Sequence, residues 1–173
     1  MIQVFSQRLA ESIKAAVPDH PASINVLRYS ISFLINALSV IFISTIAGLI
    51  TGKIAETAIV LVSFALLRQV SGGYHLKSGG LCIAISSALM IVIAQVQLAD
   101  PYVMLFNCLS ALLVLFYAPS RIERQTRIPH KYYPLLKILA LLLVAISTVI
   151  NKDVLAAALL AQSLTLIHRK AGG

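Results

Sequence analysis

Two side chains with the chemistry of a cysteine hydrolase lie in one polar segment of the chain. His75 and Cys82 are separated by six residues, and glycine pairs occupy positions 72–73 and 79–80. The thiolate is the reactive form of cysteine, and both a neighbouring imidazolium and the N-terminus of a helix stabilise it. The glycines would let the loop fold back and bring His75 toward the sulfur. This pattern is typical of a Cys–His nucleophile and base.

The element that must position Cys82 is an apolar helix, which we expect to begin just after the second glycine pair and to hold Cys82 in its first turn. An ordinary interpretation stays open, because cysteine is frequent in membrane helices and glycine pairs mark turns without chemistry. Cys108, the second cysteine, lies among apolar residues in mid-segment, where a thiolate is unfavourable. We expect no structural disulfide between cysteines placed in this way.

The composition predicts an all-α, polytopic membrane protein. Of the 173 residues, 59% are hydrophobic and 12% are charged, whereas soluble domains have about 45–50% and about 25%. Apolar runs follow one another from 30 to 167, and we read residues 1–173 as one integral membrane domain. The net charge of +8 is therefore expected to orient the chain in a membrane, and we expect no nucleic-acid partner.

Six apolar segments are predicted to cross the membrane. The first lies between Arg28 and Lys53 and the third between Lys77 and Asp100, and both reach the roughly 20 residues that a crossing needs. The other four are shorter and cover 57–67, 102–118, 135–150 and 154–167. An alternative has four full spans, with the segment before Arg68 and one later segment re-entrant. Residues 1–17 show apolar steps of three and four, which predicts an amphipathic helix at the membrane surface. The alternative for this segment is a short helix that packs against the protein's own loops.

The motif around the two candidate residues resembles the signature of the accessory gene regulator B (AgrB-like) family, membrane endopeptidases of Gram-positive quorum sensing. It reads Arg68-x3-Gly72-Gly73-Tyr74-His75-x6-Cys82, and both Tyr117-Ala118-Pro119 and Lys131-Tyr132-Tyr133 are also similar to the family. The resemblance implies a cysteine endopeptidase that cuts a short propeptide on the cytoplasmic face and closes it into a thiolactone or lactone. Cys82 would be the nucleophile and His75 the base, and Arg68, Gly72 and Gly73 would support activity.

The second polar loop, residues 119–137, departs from the lysine-rich versions of the family. Which substrate this chain recognises therefore stays open. Its cations are Arg121, Arg124, Arg127 and Lys131, which suit both orientation in the membrane and the docking of an acidic propeptide segment. Arg68 has two similar interpretations, as a cation at the membrane edge or as a ligand for a substrate carboxylate. We expect no cofactor and no metal site, since no carboxylate or cysteine is grouped around the other histidines.

Other interpretations of the chain are a small transporter or exporter and a noncatalytic membrane scaffold. A transporter is disfavoured because Lys, Arg, Asp and Glu are absent from the middle of every predicted span. Asn36 and Asn107 do lie within spans, and we expect them to hydrogen-bond neighbouring helices. Gly48 and Gly52 form a small-xxx-small pair that is compatible with a homodimer, and membrane lipids are the remaining expected partner.

The charge distribution predicts that both termini and both polar loops face the cytoplasm, because all Lys and Arg except Lys53 and Lys152 then lie on that side. Single cysteines at Ser78 and Ser120, in a chain without the native cysteines, should react with a membrane-impermeant maleimide only after cells are permeabilised. A cysteine at Lys152 is the matched control and should react in intact cells. Strong labelling at Ser78 or Ser120 before permeabilisation would contradict this orientation.

Overall fold

The described part of the chain consists of helices and contains no β-strand, which confirms the all-α prediction. A computed structural model describes residues 2–19, 21–74, 78–120, 122 and 128–167. The helices are α1 (Ile2–Ala16), α2 (Ile24–Ile50), α3 (Ile54–Ser71), α4 (Gly79–Ala94), α5 (Asp100–Tyr117), α6 (Tyr133–Ile150) and α7 (Asp153–Leu164). A short 3-10 helix, His130–Tyr132, leads into α6.

Four helices of the described chain, α2, α3, α5 and α6 with its 3-10 turn, are long and apolar enough to cross a membrane. This suggests a membrane protein. Helices α4 and α7 contain 16 and 12 residues, or about 24 Å and about 18 Å, against a hydrocarbon layer of roughly 30 Å. The third apolar segment is thus shorter as a helix than the sequence predicts, because α4 ends at Ala94, several residues before Asp100. That all six apolar segments cross the membrane stays a prediction.

Helices α3 to α7 alternate in direction, so that their ends meet in two groups. At one end, the turns that follow α3, α5 and α7 are joined by hydrogen bonds of Gly73 N to Ser120 O (2.9 Å) and of Tyr74 N to Thr165 O (3.0 Å). We call this end of the bundle the site end. Helix α6 begins there as well, since Lys137 Nζ donates to the carbonyl of Leu115 at the end of α5 (2.8 Å).

Polar side chains join the helices at the opposite end. Gln95, just after α4, donates to Thr51 at the end of α2 (3.2 Å). Asn151, which ends α6 in a left-handed conformation with φ of 51°, donates to Asp100 at the start of α5 (3.3 Å). These side-chain hydrogen bonds join α4 to α2 and α6 to α5 at this end of the bundle.

Helix α7, the shortest of the described α-helices, is the centre of the bundle. Seven of its 12 residues are buried, and it contributes to both apolar core clusters, one with α3 and α4 and the other with α3, α5 and α6. Ala156, Ala157 and Ala158 keep its surface small, so that neighbouring backbones can approach closely. The outer helices expose large apolar side chains such as Ile50 and Val149, as lipid-facing helices do.

Helix α1 packs on α2 through small side chains. Ser6 and Ala10 are fully buried, and Ser32 of α2 donates to Ser6 Oγ (2.7 Å). Phe5 and Leu9 stay exposed on another face of α1. The packing face thus differs from the apolar face that the sequence suggests, and placement of α1 at a membrane surface stays a prediction.

Candidate active site

Cys82 lies in the first turn of α4, at the site end of the bundle. The helix begins at Gly79, slightly earlier than predicted, and the Cys82 amide donates to the carbonyl of Ser78 (2.9 Å). Its side chain is partly exposed, and the sulfur is 4.0 Å from Ser86 Oγ. Helix geometry leaves the amides of the first turn without acceptors within the helix, so Cys82 adjoins a group of backbone donors.

Four of the other predicted site residues are described by the structure and four are not. His75, Arg121, Arg124 and Arg127 lie outside the described residues. Lys131 is described, and it is exposed on the 3-10 helix with its Nζ 4.9 Å from the centroid of the Tyr132 ring. The remaining three, Arg68, Gly72 and Gly73, come together immediately before His75. We refer to residues 72–74 as segment 72–74.

Backbone hydrogen bonds hold segment 72–74 from two sides. Gly73 N donates to the carbonyl of Ser120 (2.9 Å), while Ser120 N donates to the carbonyl of Ser71 (2.8 Å). From the end of α7, the carbonyl of Thr165 accepts the Tyr74 amide (3.0 Å). Because Ser71, Gly72 and Gly73 are buried, these bonds replace water that the segment cannot reach.

Two side chains bind the carbonyl groups of the same segment. Gln162 Nε2 donates to the carbonyl of Gly72 (2.7 Å), and Arg68 Nη2 donates to the carbonyl of Tyr74 (2.8 Å). Arg68 Nη1 also donates to Gln162 Oε1 (3.3 Å), so that the two side chains support each other. The path of the chain into His75 is therefore fixed at both ends of the segment.

Glycine is required at 72 and 73 by conformation and by space. The φ angles are +74° and +129°, a region that other residues rarely adopt. A Cβ atom on Gly72 would overlap the carbonyl oxygen of Ser120, and one on Gly73 would lie 2.5 Å from Thr165 Oγ1. The first glycine pair thus allows close contact between the turn after α3 and the turns after α5 and α7.

Arg68 links segment 72–74 to the candidate nucleophile. Besides its bonds to Tyr74 and Gln162, its positive charge lies within electrostatic range of Cys82 and of Tyr29 on α2. The sequence offers a topological role and a carboxylate-binding role for this arginine, and the structure adds a third, which is to support the chain that leads into His75.

Gln162 is the residue of this network that the sequence analysis missed. It is fully buried in α7 and hydrogen-bonded to both Gly72 and Arg68. The available signal was a lone amide in an apolar segment, the same signal that marked Asn107, which does bind Ser147 of α6 (2.8 Å). Asn36 carried that signal too, but its buried Oδ1 has no hydrogen-bond partner among the described residues.

The chain belongs to the Accessory gene regulator B family, whose sequence profile matches residues 6–167. This family takes part in accessory gene regulation and quorum sensing. The match covers all seven helices except the first residues of α1.

Two curated relatives agree with this assignment. An AgrB-like protein of Halalkalibacterium halodurans is 27% identical over 120 residues, which are 69% of this chain and 61% of that protein. Protein FsrB of Enterococcus faecalis is 34% identical over 95 residues, or 51% of this chain and 38% of its own length. The matched part thus spans less than two thirds of either relative. No solved structure matches the chain.

The packing of segment 72–74 predicts opposite effects for alanine in the two glycine pairs. Gly73→Ala should destabilise the protein by about 1–3 kcal/mol, because it forces a strained backbone angle and a contact with Thr165. Gly80→Ala is the matched control, since a Cβ there meets no atom within 4 Å and alanine favours a helix. Thermal unfolding in detergent should show a lowered midpoint for the first variant only. Equal midpoints would contradict the described packing.

Proposed function

We propose that this chain is a membrane cysteine endopeptidase that cleaves a short quorum-sensing propeptide and closes the retained part into a ring. The observation that supports this proposal most is the position of Arg68. It binds the carbonyl of Tyr74, the residue before His75, and it lies within electrostatic range of Cys82 at the start of α4. The family membership supports the same reaction, with Cys82 as nucleophile and His75 as base.

The first half of the reaction is acylation of Cys82. The thiolate attacks a peptide carbonyl of the propeptide and forms a tetrahedral oxyanion. The positive charge of Arg68 and the amides at the start of α4 favour the negative charge that develops there. Collapse of this intermediate breaks the peptide bond, while His75 gives a proton to the leaving amine. The products are an acyl thioester on Cys82 and a free C-terminal peptide.

The second half of the reaction closes the ring without ATP. A cysteine or serine of the bound propeptide gives its proton to His75 and attacks the thioester, which forms a thiolactone or lactone and releases the Cys82 thiolate. A group held beside the thioester reacts as if its concentration were about 10⁵ M or more, which lets it outcompete water. The chemical requirement is therefore a site that keeps both parts of the propeptide in place after cleavage.

The proposal includes the position of the reaction in the cell. We place the site end of the bundle on the cytoplasmic side of the cell membrane, with six crossings and with α1 at the surface beside it. Arg121, Arg124, Arg127 and Lys131 would attract an acidic propeptide segment by charge. The cation excess of the two polar loops and the meeting of helix ends at Gly73 and Ser120 support this arrangement.

The proposal predicts a covalent adduct on Cys82. The test uses candidate propeptides from neighbouring reading frames, with the ring-closing Cys or Ser replaced by Ala so that the thioester accumulates. Intact-protein mass spectrometry should show a hydroxylamine-sensitive adduct on the unmodified protein. Cys82→Ser should lose the adduct and lower turnover by orders of magnitude, because a hydroxyl is far less ionised than a thiol.

Cys108→Ser is the matched control for this experiment, because Cys108 is exposed on the surface of α5 and lies in the middle of that helix, away from its site end. This variant should keep both the adduct and the turnover. Normal cleavage by Cys82→Ser, or an adduct that maps to Cys108, would contradict the proposed nucleophile.

A further inference from the structure

Gln162 is a polar residue at a position where the burial of a polar side chain is unfavourable. Its side chain is fully buried in α7, a helix that otherwise offers mainly alanine and leucine around it. An amide removed from water without hydrogen bonds costs roughly 1–3 kcal/mol in proteins. A glutamine is therefore retained here only if both ends of its amide group find partners.

Both ends of the amide do find partners, and these partners are the groups that hold segment 72–74. The Nε2 donates to the carbonyl of Gly72 at 2.7 Å and, at 3.4 Å, to Ser71 Oγ. The Oε1 accepts from Arg68 Nη1 at 3.3 Å. The Thr165 hydroxyl lies 3.3 Å from the same oxygen, but its shorter bond, at 2.7 Å, is to the backbone carbonyl of Gln162. Donor and acceptor are thus used for different neighbours, which an apolar side chain or a carboxylate cannot reproduce.

These contacts connect one buried amide to both ends of segment 72–74. Gln162 holds the Gly72 carbonyl directly, and it orients the Arg68 guanidinium, whose other nitrogen holds the Tyr74 carbonyl. His75 follows Tyr74 in the chain. Gln162 thus contacts the Gly72 carbonyl and the Arg68 guanidinium, the two groups that hold the chain immediately before His75.

We propose that Gln162 is a positioning residue for the Cys–His pair and sets the approach of His75 to Cys82. This inference rests on the proposed function, because it assigns to Gln162 the alignment of the two groups that carry that reaction. A misplacement of about 1 Å in such a pair can cost about 100-fold in rate. The effect of losing the amide should thus appear in the reactivity of Cys82 and exceed any effect on folding.

The test measures alkylation of Cys82 by iodoacetamide, which needs no propeptide. The parent protein carries Cys108→Ser, so that Cys82 is its only cysteine. An imidazolium beside the sulfur keeps thiolate available at low pH, so the ratio of the rate at pH 6 to that at pH 9 should be about tenfold higher in the parent than in His75→Ala.

Gln162→Met keeps the length of the side chain and removes all its hydrogen bonds, and it should lower this ratio to the value for His75→Ala. Gln162→Glu keeps an acceptor for Arg68 but loses the donor to Gly72, so its ratio should lie between those of Gln162→Met and the parent. Ser163→Ala is the matched control, because Ser163 is equally buried in the next position and its Oγ has no hydrogen-bond partner in the part of the chain that the structure describes. It should keep the parent ratio.

The outcomes separate this inference from the proposed function. Equal ratios for the parent and His75→Ala would overturn the Cys–His pair itself, whatever Gln162 does. A difference between those two, with a parent-like ratio for Gln162→Met, would overturn only the positioning role. If Gln162→Met does not yield folded protein in detergent, Gln162→Glu decides the question, and a parent-like ratio for it overturns the inference in the same way.

Discussion

Buried backbone groups must be hydrogen-bonded, and segment 72–74 is where this constraint organises the molecule. The chain leaves α3 inside the protein, so its amides and carbonyls cannot turn to water. Their partners come from the turn after α5, from the end of α7 and from two side chains. The ends of three helices therefore meet at one place, and the candidate catalytic histidine directly follows it.

The central position of α7 follows from the same requirement. The helix must approach α3 closely to bring Thr165 and Gln162 to segment 72–74, and its alanines allow that approach. A larger side chain in their place would move α7 away from both core clusters. We thus view α7 as the support of the candidate site, around which the longer helices expose large apolar side chains.

Local sequence patterns were sufficient for part of this description. Hydropathy predicts the apolar helices, and a glycine pair before an apolar run predicts a helix start, which brings Cys82 into the first turn of α4. The role of α7 could not be predicted in this way. Residues that face lipid and residues that face protein are equally apolar, so a central helix looks like any other membrane segment.

The contacts of Arg68 could not be predicted from the sequence either. Its partner Gln162 is 94 positions away, and nothing in the spacing of the motif indicates which distant amide will meet the guanidinium. Similarly, glycines 72 and 73 could be assigned to a turn, but their need for close contact with Ser120 and Thr165 depends on the packed helices. Packing between distant parts of the chain determines these roles, whereas local hydropathy determines where the helices form.

We propose that segment 72–74 places His75 next to Cys82. Disulfide cross-linking measures the proximity of positions 75 and 82 most directly. In a Cys108→Ser background, His75→Cys should form a disulfide with Cys82 within minutes of mild oxidation, because linked cysteines need Cα atoms within about 7 Å. The control pair is Lys131→Cys with Cys82, which should stay reduced under the same conditions. Rapid cross-linking at position 75 only is the result that we predict. No cross-link at position 75, or equal cross-linking of both pairs, would contradict the account.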